Sequence, residues 1–504
     1  MYSIVKGNES YIKKHALKLS PEYTQANFTW ITTLALTIVF LISSIDFSGP
    51  SLKNNVFIVF AVYALFTCLQ GLTTFLIKRD LQYHGIIQNR TRKFGYVLLL
   101  SILTGNIFIA AFAFQLIKNN KTAQYTFAAY MLLTQVFIMA ISALNLFKPY
   151  VSDTFLPAMF ALFIIALFQL IAFIFIARDN TPAKSARWKT TLAFPLILTA
   201  ATGNLFALAL GLHFLIQKRK ENQPDSGKWV RIWEKIAGNT TSMLGLFFIV
   251  LTFSISICSY LTFDYDMAIE NNYSAILQEP NLAYPLGTDN FGRDLFSRIV
   301  FGARISLIVG FLSTAIPFII GGILGAISGY YGKQTDNIIM RLLDILYAIP
   351  GILLAIVIIA AFGSNTITLV IALSVGSIPT YARTMRANVL MVSNYEYVDS
   401  ARALGDSNLS IIFRQVVPNS MAPMIVKATL TIGGAVIATS SLSYLGLGVE
   451  PHIPEWGNIL KLGSTYLESH SYLAIYPGLA IIALVLSFNF LGDGLRDALD
   501  PKMD

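Results

Sequence analysis

Apolar runs of about twenty residues, separated by short polar stretches in which Lys and Arg cluster, fill the chain from Phe28 to Leu491. Six runs precede Lys220: Phe28 to Phe47, Val56 to Ile77, Phe94 to Ile117, Phe127 to Phe147, Phe155 to Ala177 and Leu192 to Ile216. Six more follow: Met243 to Tyr260, Ile305 to Tyr330, Ile338 to Ala361, Ile367 to Ala387, Met424 to Leu447 and Tyr472 to Leu491. A helix crosses the hydrocarbon core in about 20 residues. The pattern therefore predicts an all-α, polytopic transmembrane helical protein of about twelve spans.

The polar stretch Gln217 to Asn239, with Pro224 and Gly227, is the natural boundary between modules. It separates a six-helix membrane module, residues 1–220, from a second six-span domain, residues 241–504. Residues 221–240 form a cytoplasmic linker or interfacial helix, because Trp229 and Trp233 at i, i+4 are flanked by Lys228, Arg231 and Lys235.

The first module repeats. Thr104-Gly105-Asn106-Ile107-Phe108 returns as Thr202-Gly203-Asn204-Leu205-Phe206, and Gln70 with Arg79-Asp80 returns as Gln169 with Arg178-Asp179. If each copy holds three crossings, an odd number, the second copy enters upside down, an inverted 3+3 repeat. Asn106 and Asn204 are then helix-packing groups. With the N-terminus inside, the cytoplasmic segments up to Lys235 hold sixteen Lys and Arg, Lys148 among them, against seven outside. The positive-inside rule favours that orientation, although the basic loop from Arg178 to Lys189 opposes it.

Composition narrows the classes. At 55% hydrophobic and 12% charged residues, 504 residues are far too apolar for a soluble core. The net charge of +9 lies at the ends of apolar runs, where it sets topology and meets membrane lipid, so nucleic acid is not an expected partner. Cys68 and Cys258 lie in separate apolar runs and suggest neither a metal site nor a disulfide. No small-residue cleavage site follows the first run, which reads as a retained span.

Three polar or small-residue patterns stand out in the second domain. The densest is EYVDSARALGDSNLSIIFRQVVPN, Glu396 to Asn419, where Tyr397, Ala401 and Leu404 recur at helical spacing among charges and Gly405 breaks the helix. The second is YPLGTDNFGRDLFSRIVFGARISL, Tyr284 to Leu307: Asp289 or Asn290 can cap a helix whose polar side carries Arg293, Asp294 and Arg298, with Arg304 beyond. The third is the stripe Gly321, Gly325 and Gly329, at which a neighbouring helix can approach closely. Arg341 and Asp344 suggest a local i, i+3 pair, Pro350 a kink, and Trp456 an interfacial anchor.

The spacing of Asp399-Ser400-Ala401, Gly405 and Pro418 resembles the Glu-Ala-Ala loop of ABC importer permeases, E-A-A-x3-G-x9-I-x-L-P, with Asp399, Ser400, Gln415 and Val417 departing in identity. The Tyr284 to Leu307 segment, SLSYLGLGVEPHIPEWGNIL (Ser441 to Leu460) and YPGLAIIALVLSFNFLGDGLRDALDP (Tyr476 to Pro501) resemble the C-type permeases of dipeptide and oligopeptide importers. The likeness covers about residues 238–504 and leaves the first module unassigned.

This resemblance implies a type I ABC permease domain in a bacterial cell membrane, both termini cytoplasmic. A second permease subunit, two ATPase subunits, an extracellular substrate-binding protein and a peptide substrate would be its partners. Nickel or metal chelates are the alternative cargo. Glu396, Asp399, Ser400, Ala401, Arg402, Gly405, Asp406 and Pro418 would couple to the ATPases. Asp289, Arg293, Asp294, Arg298 and Arg304 would lie near the outer gate and binding protein.

The chain itself is expected to be no enzyme and to hold no cofactor or metal. It lacks G-x-x-x-x-G-K-[ST], so ATP and Mg would be bound by the ATPase partners. An intramembrane enzyme would need paired Asp, Ser with His, or metal-spaced His within the spans, and His213 stands alone in its run. For the first module a scaffolding role is expected, with a self-contained channel or secondary transporter as the rival. A chain beginning near Lys228 should then still assemble with its ATPases.

Overall fold

The computed structural model describes residues 20–45, 54–119, 121–179, 187–220 and 227–500. Expectations for Lys6, Lys13, Lys14, Lys18, Lys53, Lys184 and Pro224, and for the side chains of Arg187, Lys218, Arg219, Lys220, Lys228 and Trp229, lie outside the described residues. Contacts divide the chain into two units, Met1–Leu133 with Gln169–Lys184, and Thr134–Phe168 with Ser185–Asp504. This division does not fall at the polar stretch after Ile216.

Among the described residues the regular structure is helical, and the all-α polytopic class holds. Among the described residues nine helices are long and apolar enough to cross a membrane, ten if one bent pair counts as a span. They include α1 (Pro21–Ser44), α2 (Asn54–His84), α5 (Ala123–Ala143), α6 (Phe155–Arg178) and α10 (Thr240–Thr262). The others are α11 (Leu295–Tyr331), α14 (Thr366–Val392), α17 (Val417–Tyr444) with the short turn before it, and α19 (Tyr472–Leu499). The bent pair is α12 (Lys333–Tyr347) and α13 (Gly351–Phe362), which meet at 80° where Pro350 was expected to kink a single span.

The two remaining apolar runs are not single helices. Residues 94–117 form α3 (Asn89–Leu98), a 3-10 turn and α4 (Ile107–Ile117); residues 192–216 form α7 (Arg187–Thr199), a 3-10 turn and α8 (Leu205–Lys220). Each folds back on itself. Arg92 of α3 donates through Nη1 to Leu116 O at 3.1 Å, so the two legs on either side of Gly105 meet. Gly105 (φ 73°) and Gly203 (φ 83°) occupy the left-handed region that favours glycine, and Asn106 caps α4 by accepting from Ile109 N at 3.1 Å. The repeated Thr-Gly-Asn is therefore the tip of a hairpin.

The hairpins also share their packing. A Cβ on Gly95 would lie 2.7 Å from Ile117 Cγ1 and 3.1 Å from Ala113 O. One on Gly211 would lie 2.7 Å from Ile197 Cγ1 and 2.9 Å from Ala193 O. Gly95 and Ala113 correspond to Ala193 and Gly211 in the repeat, so each copy spends one glycine on the same helix contact, from opposite legs. This overturns the inverted arrangement. A hairpin leaves on the side it entered, so each copy holds two helices long enough to cross instead of the three that an inverted 3+3 repeat needs.

The second unit also holds α9 (Gly227–Gly238), α15 (Glu396–Ala403), α16 (Asn408–Ile411) and α18 (Trp456–Ser464). The glycine stripe of α11 lies against α14 of the same chain. A Cβ on Gly321 would meet Tyr381 Cβ at 2.7 Å, one on Gly325 the carbonyl of Ala382, and one on Gly329 Arg386 O at 2.9 Å. Trp456 is 3% exposed and donates through Nε1 to Ile299 O at 2.9 Å, so it belongs to the core of this unit and is no interfacial anchor.

Candidate functional sites at the two ends of α11

Two polar clusters lie at opposite ends of the 37-residue α11, about 55 Å apart at 1.5 Å per residue. At its C-terminal end Tyr330 Oη donates to Asn408 Oδ1 at 3.0 Å, and Arg402 lies 3.5 Å away. At its N-terminal end Asp294 caps the helix by accepting from Phe296 N at 3.3 Å and Ser297 N at 3.0 Å.

The first cluster is built on α15. Glu396 and Asp399 in its first turn and Arg402 in its last suit the helix dipole. Its end is a Schellman motif: Asp406 N donates to Ala401 O at 3.2 Å and Gly405 N to Arg402 O at 3.1 Å, with Gly405 at φ 88°. Ser407 then caps α16, a π-helical turn spans Ile412–Val416, and Pro418 sits in the first turn of α17.

The loop is seated on an apolar underside. Val398, Ala401, Ile411, Ile412 and Val416 are buried in one cluster with Tyr381, Met385 and Val389 of α14 and Met424 of α17. Glu396, Asp399, Ser400, Arg402, Gly405, Asp406 and Pro418 are exposed. Arg402 Nη1 lies 3.0 Å from Asp399 Oδ1. Ala401 turns inward, so its small side chain serves the seat. Leu404 stands 87% exposed, with Leu409 and Phe413 also outward. Helical spacing placed Leu404 on the apolar side, but it is the C-cap residue, where the helix ends and the side chain leaves the underside.

Ion pairs tie α12 to the helix that leads into α15. Arg386 is bidentate to Asp336, with Nη2 to Oδ2 at 2.5 Å, and Arg383 Nη2 lies 2.5 Å from Asp344 Oδ1. The expected Arg341–Asp344 pair is not made. Arg341 donates to Asn337 Oδ1 at 2.8 Å instead.

The second cluster is buried, where its sequence suggested an exposed polar side. Asp289 (2% exposed), Arg293 (6%), Asp294 (1%) and Arg298 (1%) are all buried, with Asp289 paired to Arg293 and 3.7 Å from Arg298 Nε. The helix cap is Asp294, not Asp289 or Asn290. Asp289 holds the preceding loop, with Oδ1 accepting from Phe291 N and Arg293 N and Oδ2 from Arg293 Nε at 2.7 Å. Arg298 donates to Ala268 O at 2.7 Å, and Arg304 lies over the Tyr260 ring at 3.5 Å.

One member of this network was not legible. Lys148, from the turn between α5 and α6, places Nζ 2.6 Å from Asp294 Oδ2 and 2.7 Å from Ser297 Oγ. Burial pushes its ammonium below the usual lysine range, and Asp294 opposes the shift. The same turn is tied to the end of α10, Asn145 Nδ2 donating to Thr262 O at 2.8 Å and Thr154 Oγ1 to Leu261 O at 2.9 Å. Lys148 and Asp294 were expected on opposite membrane faces. Their contact places them at one end of this unit.

Residues 321–504 match the family described as binding-protein-dependent transport system inner membrane component. A glutathione transport system permease protein of Pectobacterium atrosepticum is 40% identical over 275 residues, covering 55% of this chain and 91% of the relative. Dipeptide transport system permease proteins of Alkalihalophilus pseudofirmus and Haemophilus influenzae are 42% and 40% identical, covering 90% and 94% of their lengths. An inward-facing methionine ABC transporter structure aligns with TM-score 0.34 and 19% identity, over 40% of this chain and 96% of that one. With its C-terminal half spanning nearly the whole of these relatives, the chain belongs to the family of binding-protein-dependent transport inner-membrane components, the permease subunits of ABC importers.

Proposed function

We propose that this permease moves small peptides, di- or oligopeptides, into the cell by alternating access, driven by ATP that partner subunits hydrolyse. The observation that carries the reading is α15: an exposed polar face on a buried apolar underside, at the end of α11 opposite the Asp289 network. A rigid exposed helix of this kind seats in a groove of a partner, and motion imposed on it passes through Val398 and Ala401 into α14 and α17. Glu396, Asp399, Ser400, Arg402, Leu404 and Asp406 would touch the ATPase, Ala401, Gly405 and Pro418 would fix the helix, and the helix stripe would keep α11 and α14 moving as one body.

The α15 end is the cytoplasmic one in this reading, with both chain termini on that side. Charge supports it. When both hairpins return to the side they entered, the cytoplasmic segments up to Lys235 hold twenty-one Lys and Arg against two outside, Lys53 and Lys148. The Arg178 to Lys189 loop, which opposed the rule, then obeys it. Residues 241–504 carry the permease domain, with a second permease and an external binding protein completing the system at the Asp289 end. The relatives named for dipeptide and glutathione transport support a short peptide cargo.

The test is uptake of labelled di- and pentapeptides in a strain lacking this chain. Gly405→Pro, or Arg402→Glu with Asp399→Lys, should abolish restored uptake at normal membrane abundance. Unimpaired uptake would remove α15 as the coupling element, and nickel uptake without peptide uptake would reassign the cargo.

A further inference from the structure

Beside α15 the helix ends leave a cavity of about 1000 Å³. Its wall comes from α9, the last turn of α14, the start of α15, the first half of α17 and the end of α19. It follows α17 from Asn419 to Thr431, twelve residues or about 18 Å of helix rise, so it opens at the helix ends and runs into the bundle.

Its chemistry is two-part. Among the described residues cations line it, Arg231 and Lys235 of α9, Arg496 of α19 and Lys427 of α17, against one carboxylate, Asp500. Lys427 donates to neutral acceptors, Thr380 O and Thr384 Oγ1, both at 2.7 Å. Between these charges Ile232, Met391, Val426 and Leu430 present hydrocarbon. A soluble anion would satisfy the first part and leave the apolar slot wet. An amphiphile satisfies both, and basic pockets between membrane helices at the cytoplasmic face are suited to anionic headgroups.

We propose that this cavity binds an anionic glycerophospholipid, its phosphate held by Arg231, Lys235 and Arg496 and one acyl chain lying along Val426 and Leu430. Because Tyr395 and Tyr397 form part of the wall, the lipid would brace the start of α15 from the membrane side. The inference rests on reading this end as cytoplasmic, but its readout needs neither ATP nor a partner subunit, so it fails separately from peptide uptake.

The full-length chain, washed in dodecyl maltoside and exposed to mixed phosphatidylglycerol and phosphatidylcholine vesicles, is assayed for retained lipid by native mass spectrometry. Phosphatidylglycerol should be retained in preference, with about a five-fold loss for each of Arg231→Ala, Lys235→Ala and Arg496→Ala. Arg496→Lys should restore most of it, and Val426→Trp, which fills the slot and leaves every charge, should reduce it. Equal retention of both lipids, or of phosphatidylglycerol by the triple alanine variant, would overturn the proposal. Displacement of the lipid by inorganic phosphate with Val426→Trp silent would show a soluble-anion site instead. Loss of ATPase binding in the triple variant with lipid retention intact would show a protein-docking surface.

Discussion

Removing the Lys148 ammonium leaves Asp294 buried at a helix N-terminus with its nearest cation gone. Asp294 keeps its two backbone N–H bonds, so the charge is not wholly orphaned, but breaking a buried pair by deleting one partner is costly. Lys148→Met should therefore destabilise the purified protein by about 3 kcal/mol, read as a lowered Tm. Lys148→Met with Asp294→Asn, which keeps a capping side chain, should recover much of that loss. An unchanged Tm in the single variant would show the pair to be solvated. The interaction could not be read from the sequence, because a lone lysine after an apolar run is a topology signal and Lys148 lies 146 positions before Asp294.

At the scale of elements, the hairpins separate what a glycine does for the backbone from what it does for packing. Gly105 and Gly203 both need positive φ, but a Cβ at Gly105 would meet nothing within 4 Å, whereas one at Gly203 would lie 2.7 Å from Ser254 Cα of α10. Gly105→Ala should cost the conformational strain alone, about 1 kcal/mol, and Gly203→Ala distinctly more, because a backbone atom cannot move aside. Thermal melts of the two variants compare them directly. Equal losses would mean that the second tip does not rest on α10. The Thr-Gly-Asn repeat was visible in the sequence, but its reading as mid-span helix was not safe. Length and hydropathy are the same for one crossing helix and for two legs returning from a tip.

For the whole molecule the hairpins decide topology. Twelve apolar runs resolve, among the described residues, into nine crossing-competent helices, one bent pair and two hairpins. Single cysteines at Asn119 and Asp153, in a background with Cys68 and Cys258 replaced, should label from opposite faces, Asn119 inside and Asp153 outside. Labelling of Asn119 from outside would restore the odd-crossing arrangement and break the charge asymmetry. The contacts of the Lys148 turn also bear on the expectation that a chain beginning near Lys228 assembles normally. Such a chain keeps α15 and its seat but loses the turn that ties Asp294 to the end of α10.

The sequence by itself determined the membrane class, the separation of a permease half from an unassigned half, and the polar loop at Glu396 to Asn419. These follow from local quantities: run length, charge placement and the spacing of Gly405 and Pro418. Only the tertiary structure decided which polar groups are buried, which face of α15 is free, and whether an apolar run crosses or returns. Each of those depends on a contact between distant residues, Lys148 with Asp294, Val398 with α14, Arg92 with Leu116. The loop at α15 was found by its polarity, and it is the buried apolar underside, invisible in that polarity, that seats it on α14 and α17.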